Sequence, residues 1–322
     1  MCSGVLKAMS QSTQLSSKWI LLYGLPFLAL ILLIIFSDLT KITKLLVSLP
    51  ISTILLIVII SLIRPVLGGI RCWFAYKSIG ELSIIDASKG YVLSAYGTIF
   101  LPSAIGGDIL RIEHMKNCSG NTRKEALLVA SLERVVGFFC LFLLAFFISF
   151  IDLPFSVSTT WFLYIFLIVS GVVSLCGFLI MYTKKDSIVV KVIEYVKNYT
   201  TPPLLFGVLI LSLIFQCVSL SIPVIVGYVL ADWDVAITIA LMTPLVAIFS
   251  TLPISIGGIG LREASYVGLC ALVNIENEIG FLVGLSLSIS IILSGIPGIL
   301  FQNELFEIRK SVPQEIGVEL IA

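Results

Sequence analysis

Apolar windows separated by short clusters of charge divide the chain into lengths that suit a bilayer. About 20 apolar residues cross the hydrocarbon core as a helix. Windows of that order run from Trp19 to Phe36, Leu45 to Ile63, Ala126 to Ile151, Trp161 to Tyr182, Leu204 to Leu230 and Phe281 to Phe301. They predict six transmembrane helices. Two further apolar stretches, Gly90 to Leu101 and Val235 to Thr251, behave differently: each runs into a Pro/Gly break and is followed by a polar return, Asp108 to Glu125 and Arg262 to Glu278. A segment that enters, breaks and leaves on the same side is a re-entrant hairpin, tolerated at membrane depth where protein or a watery cavity satisfies the freed amides. Arg64 to Lys89, with charges among Trp73, Phe74 and Tyr76, reads as an extension of the second helix plus a segment in the headgroup layer.

The two breaks are copies of one another. LPSAIGGDILR (Leu101 to Arg111) and LPISIGGIGLR (Leu252 to Arg262) lie 151 positions apart and agree at seven of eleven positions. The same shift carries the first window onto the fourth, the second roughly onto the fifth, the third onto the sixth, and Glu125 onto Glu276. Each half then holds three crossings and one hairpin. Because three is odd, the second half is inserted upside down. This is the inverted-repeat pattern of alternating-access carriers, in which paired breaks mark the binding site. The predicted fold is therefore an all-α integral membrane protein: six full transmembrane helices plus two re-entrant hairpins in two inverted repeats. Residues 1–322 form a single membrane domain, with repeat one at about 19–151, repeat two at about 161–301 and a cytoplasmic tail at 302–322.

Charge placement orients the chain. With both termini cytoplasmic, sixteen of the 20 basic residues fall on inner segments, three (Lys41, Lys44, Arg262) outside, and Arg134 within the membrane. That obeys the positive-inside rule. Eight ordinary crossings would satisfy it equally, because two extra crossings cancel. At 58% hydrophobic and 12% charged, against about 25% charged for an average soluble domain, the chain belongs in a bilayer. A net charge of +1 gives no reason to expect a nucleic-acid partner. The seven scattered Cys without a CxxC read as buried small hydrophobes, and a lone His114 leaves no basis for a His-dependent metal site or triad. No cofactor or metal is expected. The first window lacks a small-residue cleavage site after it and is expected to stay as a span.

The candidate chemistry sits at the breaks. Pro102 and Pro253 stop helices; the Gly106-Gly107 and Gly257-Gly258 pairs, with Gly260, let backbone approach a ligand. Free amides where a helix restarts, with Arg111 or Arg262 beside them, form a phosphate-binding arrangement. The bland alternative is tight helix packing with the arginines among headgroups. Glu133 and Arg134 lie about two turns inside the third window, where charges are costly unless paired or hydrated and so mark function, or a structural ion pair. Arg262-Glu263 holds the comparable place after the second break. Asp108 serves either as partner of an arginine or as a proton acceptor. Gln216 reads as a helix-helix contact. Asp232-Trp233-Asp234 has the look of the acidic pair of membrane glycosyltransferases, but an ordinary acidic loop accounts for it.

These residues also carry a resemblance. Arg71-Cys72-Trp73 with Gly80, Leu101-Pro102 through Gly107-Asp108 to Arg111, Glu133-Arg134-Val135-Val136-Gly137, and Pro253 through Gly257-Gly258-Ile259-Gly260-Leu261-Arg262-Glu263-Ala264 resemble the flippase-like transmembrane domain of lysylphosphatidylglycerol synthases and their stand-alone relatives. Full synthases of that family add a soluble aminoacyl-transferase domain that uses aminoacyl-tRNA. This sequence runs about twenty residues past its last window, so the resemblance implies lipid translocation or binding and argues against lipid aminoacylation. The expectation is a lipid flippase-like transporter in the plasma membrane. Its cargo would be an anionic phospholipid or a polyprenyl-phosphate-linked lipid, its partners membrane lipids, with a homo-oligomer or envelope-biosynthesis proteins left open. Alternatives are a membrane glycosyltransferase, a non-catalytic subunit of a lipid-modifying or envelope-assembly system, and a small-solute transporter.

Overall fold

The structure is a computed structural model that describes residues 38–77, 79–101, 107–150, 201–251, 255 and 257–301. The first and fourth predicted spans, the loops around the fourth, Pro102, Gly106, Pro253 and the tail lie outside the described residues. Among the described residues there are helices and no strands. The helices are α1 (Leu39–Ser48), α2 (Ile51–Tyr76), α3 (Ile84–Thr98), α4 (Asp108–Ser119), α5 (Arg123–Ile148), α6 (Pro202–Leu230), α7 (Trp233–Ser250), α8 (Leu261–Leu272) and α9 (Asn277–Gly295). A 3-10 turn, Ile296–Phe301, follows α9.

Five of these are long and apolar enough to cross a membrane: α2, α5, α6, α7, and α9 with its 3-10 extension. They divide by environment. Only 28–39% of the apolar windows of α2, α5 and α6 is buried, against 67% for α7 and 61% for α9. The first three present Ile59, Phe139 and Ile210 outward, as lipid-facing helices do, while α7 and α9 are wrapped by other helices. α9 is the hub, packing against α1, α2, α3, α6 and α8.

Small residues permit these close contacts. Gly280 and Gly284, one turn apart on α9, face α8: a Cβ at Gly284 would stand 2.7 Å from the Glu263 Cα, and one at Gly280 3.0 Å from the Tyr266 carbonyl. This small-xxx-small spacing brings helices together where hydrophobicity gives no drive for association. Gly69 on α2 meets Ser88 of α3 in the same way.

Proline inside α2, α6 and α7 (Pro65, Pro223, Pro244) removes a backbone donor and frees the carbonyl four residues earlier. For Pro65 that carbonyl is Ser61 O, and the Ser294 hydroxyl of α9 donates to it at 2.6 Å. Ser61 Oγ and Ser290 Oγ, 2.8 Å apart, join the same two helices. A neighbouring helix thus satisfies the bond that proline removed, as a bilayer requires.

Three apolar clusters form the core of the described residues, the smallest made of Ile42, Phe281 and Leu282. Of the two larger, one gathers Ile57, Ile222, Val226, Ile239, Tyr266 and Val283. The other gathers Cys72, Ala75, Tyr76, Met115, Val129 and Val208. α2 and α6 run through both, contributing opposite ends to each.

The predicted windows need three corrections. The second span begins after Pro50, which closes α1 and starts α2, and it continues through Arg64 and Arg71 to Tyr76 as one 26-residue helix. Arg71, Tyr76 and Cys72 are consequently core residues and not headgroup contacts. The stretch before the first break starts earlier, at Ile84, because Ser83 caps α3 by accepting from the Asp86 amide. The stretch before the second break is an 18-residue helix, α7, spanning about 27 Å at 1.5 Å per residue. It is long enough to count as a crossing by length, whereas the 15-residue α3 is not.

A substitution pair tests the α8–α9 packing. Gly284→Ala forces a Cβ against backbone and is expected to cost about 1–3 kcal/mol. Gly268→Ala, with nothing within 4 Å, should be neutral or stabilise the helix by up to about 1 kcal/mol. Thermal unfolding of the detergent-solubilised protein checks both; equal midpoints for the two variants would contradict the close approach.

Candidate functional site

Midway along α2 and α6 opens a cavity of about 320 Å³. Arg64 and Arg71 come to it from α2, Phe215, Gln216 and Ser219 from α6, and both breaks end on it. Since Arg64 and Gln216 stand at the centres of 26- and 29-residue spans, the cavity lies near mid-depth of the bilayer.

The first break supplies its most charged wall. Glu133 is fully buried and clamps two arginines: Oε1 accepts from Arg71 Nε at 3.1 Å and from Tyr91 OH at 3.0 Å, and Oε2 accepts from Arg111 Nη1 at 2.9 Å. Arg71 also donates to Tyr91 OH at 2.6 Å and lies over the Phe215 ring at 4.7 Å. Arg111 lies over the Tyr91 ring at 4.4 Å. Asp108 completes the wall. Its carboxylate accepts from Ser94 Oγ at 3.0 Å and from Arg134 Nε at 2.6 Å, and Arg111 Nη2 stands 3.3 Å away.

Local chain geometry explains why these side chains converge. Glu133 and Arg134 are consecutive on α5 and so diverge by about 100°, at 3.6 residues per turn. Glu133 turns to Arg71 and Arg111, and Arg134 to Asp108. One turn on, Gly137 leaves room for Gln216, whose Nε2 donates to the Gly137 carbonyl at 2.9 Å. That is the helix-helix contact expected of Gln216. Gly107 has an ordinary helical φ of −61°; it is glycine because a Cβ there would collide with the Ser94 carbonyl and the Thr98 hydroxyl. The break is thereby pressed onto α3.

The second break is built differently. Gly257, Gly258 and Gly260 have φ of +58°, +81° and +83°, a region costly for other residues. The turn they make delivers Arg262, 5% exposed, into the cavity. Arg262 Nη1 donates to Ser288 Oγ at 2.8 Å and Nη2 to the Gly257 carbonyl at 3.0 Å. Glu263, buried beside it, accepts from Ser288 Oγ at 2.5 Å and from the Gly260 amide at 2.7 Å. The two breaks touch: a Cβ at Gly257 would stand 2.7 Å from the Thr98 carbonyl.

Of the predicted site set, Asp108, Arg111, Glu133, Arg134 and Arg262 line one cavity, whereas Gly107, Gly257, Gly258, Gly260 and Glu263 are not among its lining residues. Two details differ from the expectation. Arg262 does not sit in an outer loop but is buried, and the Gly260 amide at the restart of α8 is not free, being taken by Glu263. Asp108 is the partner of Arg111 and Arg134. The sequence reading missed Arg64, Arg71, Tyr91, Phe215 and Ser288 as site residues. Arg64 and Arg71 carried a usable signal: they are seven residues apart, two turns on one helical face, had the second window been extended past Ile63.

The acidic pair at the start of α7 has a structural role, since Asp232 caps that helix by accepting from the Val235 amide at 2.8 Å. A grouping with metal-ligand chemistry among the described residues lies away from the cavity. The carboxylate of Asp86, the ring of His114 and the Cys118 thiol fall within 4.8 Å of one another. There His114 Nε2 stands 3.1 Å from the Asp86 carbonyl, tying α4 to α3.

Fold and site define a multi-pass membrane protein, helical among the described residues, with an arginine-lined cavity midway along its long helices. The profile of the family described as lysylphosphatidylglycerol synthase TM region matches residues 21–297, and the chain belongs to that family. This places it among membrane proteins of lipid modification and transport. No curated protein matches the chain.

Glu133→Gln tests the clamp. It leaves the buried Arg71 guanidinium without a counter-charge and Arg111 with Asp108 alone, and is expected to cost about 3–5 kcal/mol, read as a drop in thermal midpoint in detergent. Asp232→Ala should lose only a cap, about 1 kcal/mol. A smaller drop for Glu133→Gln than for Asp232→Ala would show that Glu133 is not the wall's keystone.

Proposed function

We propose that this protein moves an anionic phospholipid or a polyprenyl-phosphate-linked lipid between leaflets, holding the phosphate in the mid-depth cavity while the acyl chains stay in lipid. The observation that carries this reading is the lining: five arginines (Arg64, Arg71, Arg111, Arg134, Arg262) face two carboxylates (Asp108, Glu133) in about 320 Å³. Guanidinium groups suit phosphate because their planar fork donates two parallel hydrogen bonds. The volume is at the lower bound of ligand pockets, fit for a headgroup and not for acyl chains.

Transport, as opposed to static binding, is favoured by the paired breaks. They occupy matching places in the two halves and meet at Gly257 and Thr98. On this reading α3–α4 and α7–α8 are hairpins of two inverted repeats with both termini cytoplasmic in a plasma membrane. Rocking of one repeat against the other would expose the cavity alternately to each side.

Reconstitution into vesicles carrying a fluorescent phosphatidylglycerol tests the reading, with external quenching reporting leaflet exchange. The protein should accelerate exchange above that of protein-free vesicles, and Arg111→Ala should lower the rate tenfold or more, on the order expected for a lost charged contact. Size-exclusion profiles confirm that the variant is folded. Wild-type exchange no faster than in empty vesicles would overturn the proposal.

A further inference from the structure

The cavity's arginines differ sharply in what already neutralises them. Arg71 and Arg111 are paired with Glu133, and Arg111 and Arg134 with Asp108. The two carboxylates of this wall accept every contact described for their oxygens from three arginines, a tyrosine and a serine, so three positive charges face two negative ones. At the other wall the partners are neutral. Arg262 donates to a serine hydroxyl and a backbone carbonyl. Arg64 donates through Nη1 to Ser290 Oγ at 3.1 Å, and its Nε is buried with no hydrogen-bond partner. Both residues line the same cavity. Glu263, the carboxylate nearest Arg262, is turned to Ser288 and the Gly260 amide and is not part of the cavity lining.

A buried charge without a counter-charge is costly at mid-membrane, and a buried donor without an acceptor adds to that cost. An arriving anion that accepts from Arg64 Nε and shares the Arg262 guanidinium relieves both. Two features of the fold hold the pair ready for it. Gly258 keeps space for Arg262, since a Cβ there would stand 2.8 Å from Nη2. Ser290 and Ser288, both on the hub helix α9, fix the two guanidiniums from behind.

Resting on the reading of the cavity as a phosphate site, we propose that Arg64 and Arg262, not Arg111 and Arg134, form its primary anion station, and that the station prefers a phosphate group with two negative charges. Counting Glu263, five arginines and three carboxylates leave a net of two positive charges. A phosphomonoester, close to doubly ionised above pH 7, balances that net charge, whereas a phosphodiester balances half of it. The shared chemistry is a terminal phosphate, carried by a lipid or free in solution.

Binding to the full chain in detergent at pH 8 tests the proposal. The probes are short-chain phosphatidic acid, short-chain phosphatidylglycerol and inorganic phosphate. Phosphatidic acid is expected to bind more tightly than phosphatidylglycerol. Arg64→Gln and Arg262→Gln should each weaken it on the order of tenfold or more, with Arg64→Lys keeping more affinity than Arg64→Gln. Inorganic phosphate binding as tightly as phosphatidic acid identifies a free phosphate as ligand; lipid binding alone identifies a headgroup, and both support the station. Should Arg262→Gln fail to fold, Arg64→Gln decides, since its described partner is a single serine hydroxyl. Wild-type affinity for phosphatidic acid in Arg64→Gln, or equal affinity for the two lipids, overturns the proposal. If leaflet exchange is present and falls with Arg111→Ala while Arg64→Gln binds normally, the station fails and transport stands. If exchange is absent but Arg64→Gln weakens binding, the station stands and transport fails.

Discussion

The structure depends on how charge is held at the middle of a bilayer. Arg71 and Arg111 reach the same buried carboxylate, Glu133, from α2 and α4, with Tyr91 of α3 bonded to both Glu133 and Arg71. Four helices are locked to one another by one glutamate of α5. In water such an exposed pair would contribute little; here the alternative is an unpaired ion in a low-dielectric interior, so the clamp dictates where α2, α3, α4 and α5 stand. The Asp108 contacts to Ser94 and Arg134 then bring the start of α4 against α3 and α5.

The rest of the architecture follows from a second demand of the bilayer, that every backbone polar group be satisfied within the protein. The described glycines of the breaks, Gly107, Gly257, Gly258 and Gly260, are buried. The orphan Ser61 carbonyl left by Pro65 is taken by Ser294, and the Gly260 amide is taken by Glu263. The glycines of the two breaks serve separate ends, close approach at Gly107 and left-handed backbone at Gly257, Gly258 and Gly260. A matching GG string can therefore hide two different physical requirements. Both nevertheless bring an arginine, Arg111 or Arg262, to one cavity.

The uneven neutralisation of those arginines links the architecture to the proposed function. The wall built on Glu133 and Asp108 is a scaffold as much as a binding surface, because its charges already hold helices together. The wall built on Arg64 and Arg262 leans on hydroxyls and a carbonyl. Such partners are readily supplemented by a stronger acceptor, and phosphate is one.

Helix type, the apolar windows of α2, α5, α6 and α9, the breaks before Asp108 and Leu261, and the grouping of Arg111, Glu133, Arg134 and Arg262 near those breaks were legible in the order of residues. The reason is that burial in lipid acts on local stretches: twenty apolar residues, or a proline with two glycines, carry their meaning without reference to any other segment. Pairing does not. That Glu133 would face Arg71 across 62 positions, that Arg64 would turn inward and lack a partner at Nε, and that Arg262 would be buried were decided when α2, α5, α8 and α9 packed together. The sequence by itself determined a membrane-embedded helical chain with charged residues gathered at two related breaks. Only the tertiary structure decided which of those charges neutralise one another, because in a low-dielectric interior that depends on distances between helices far apart along the chain.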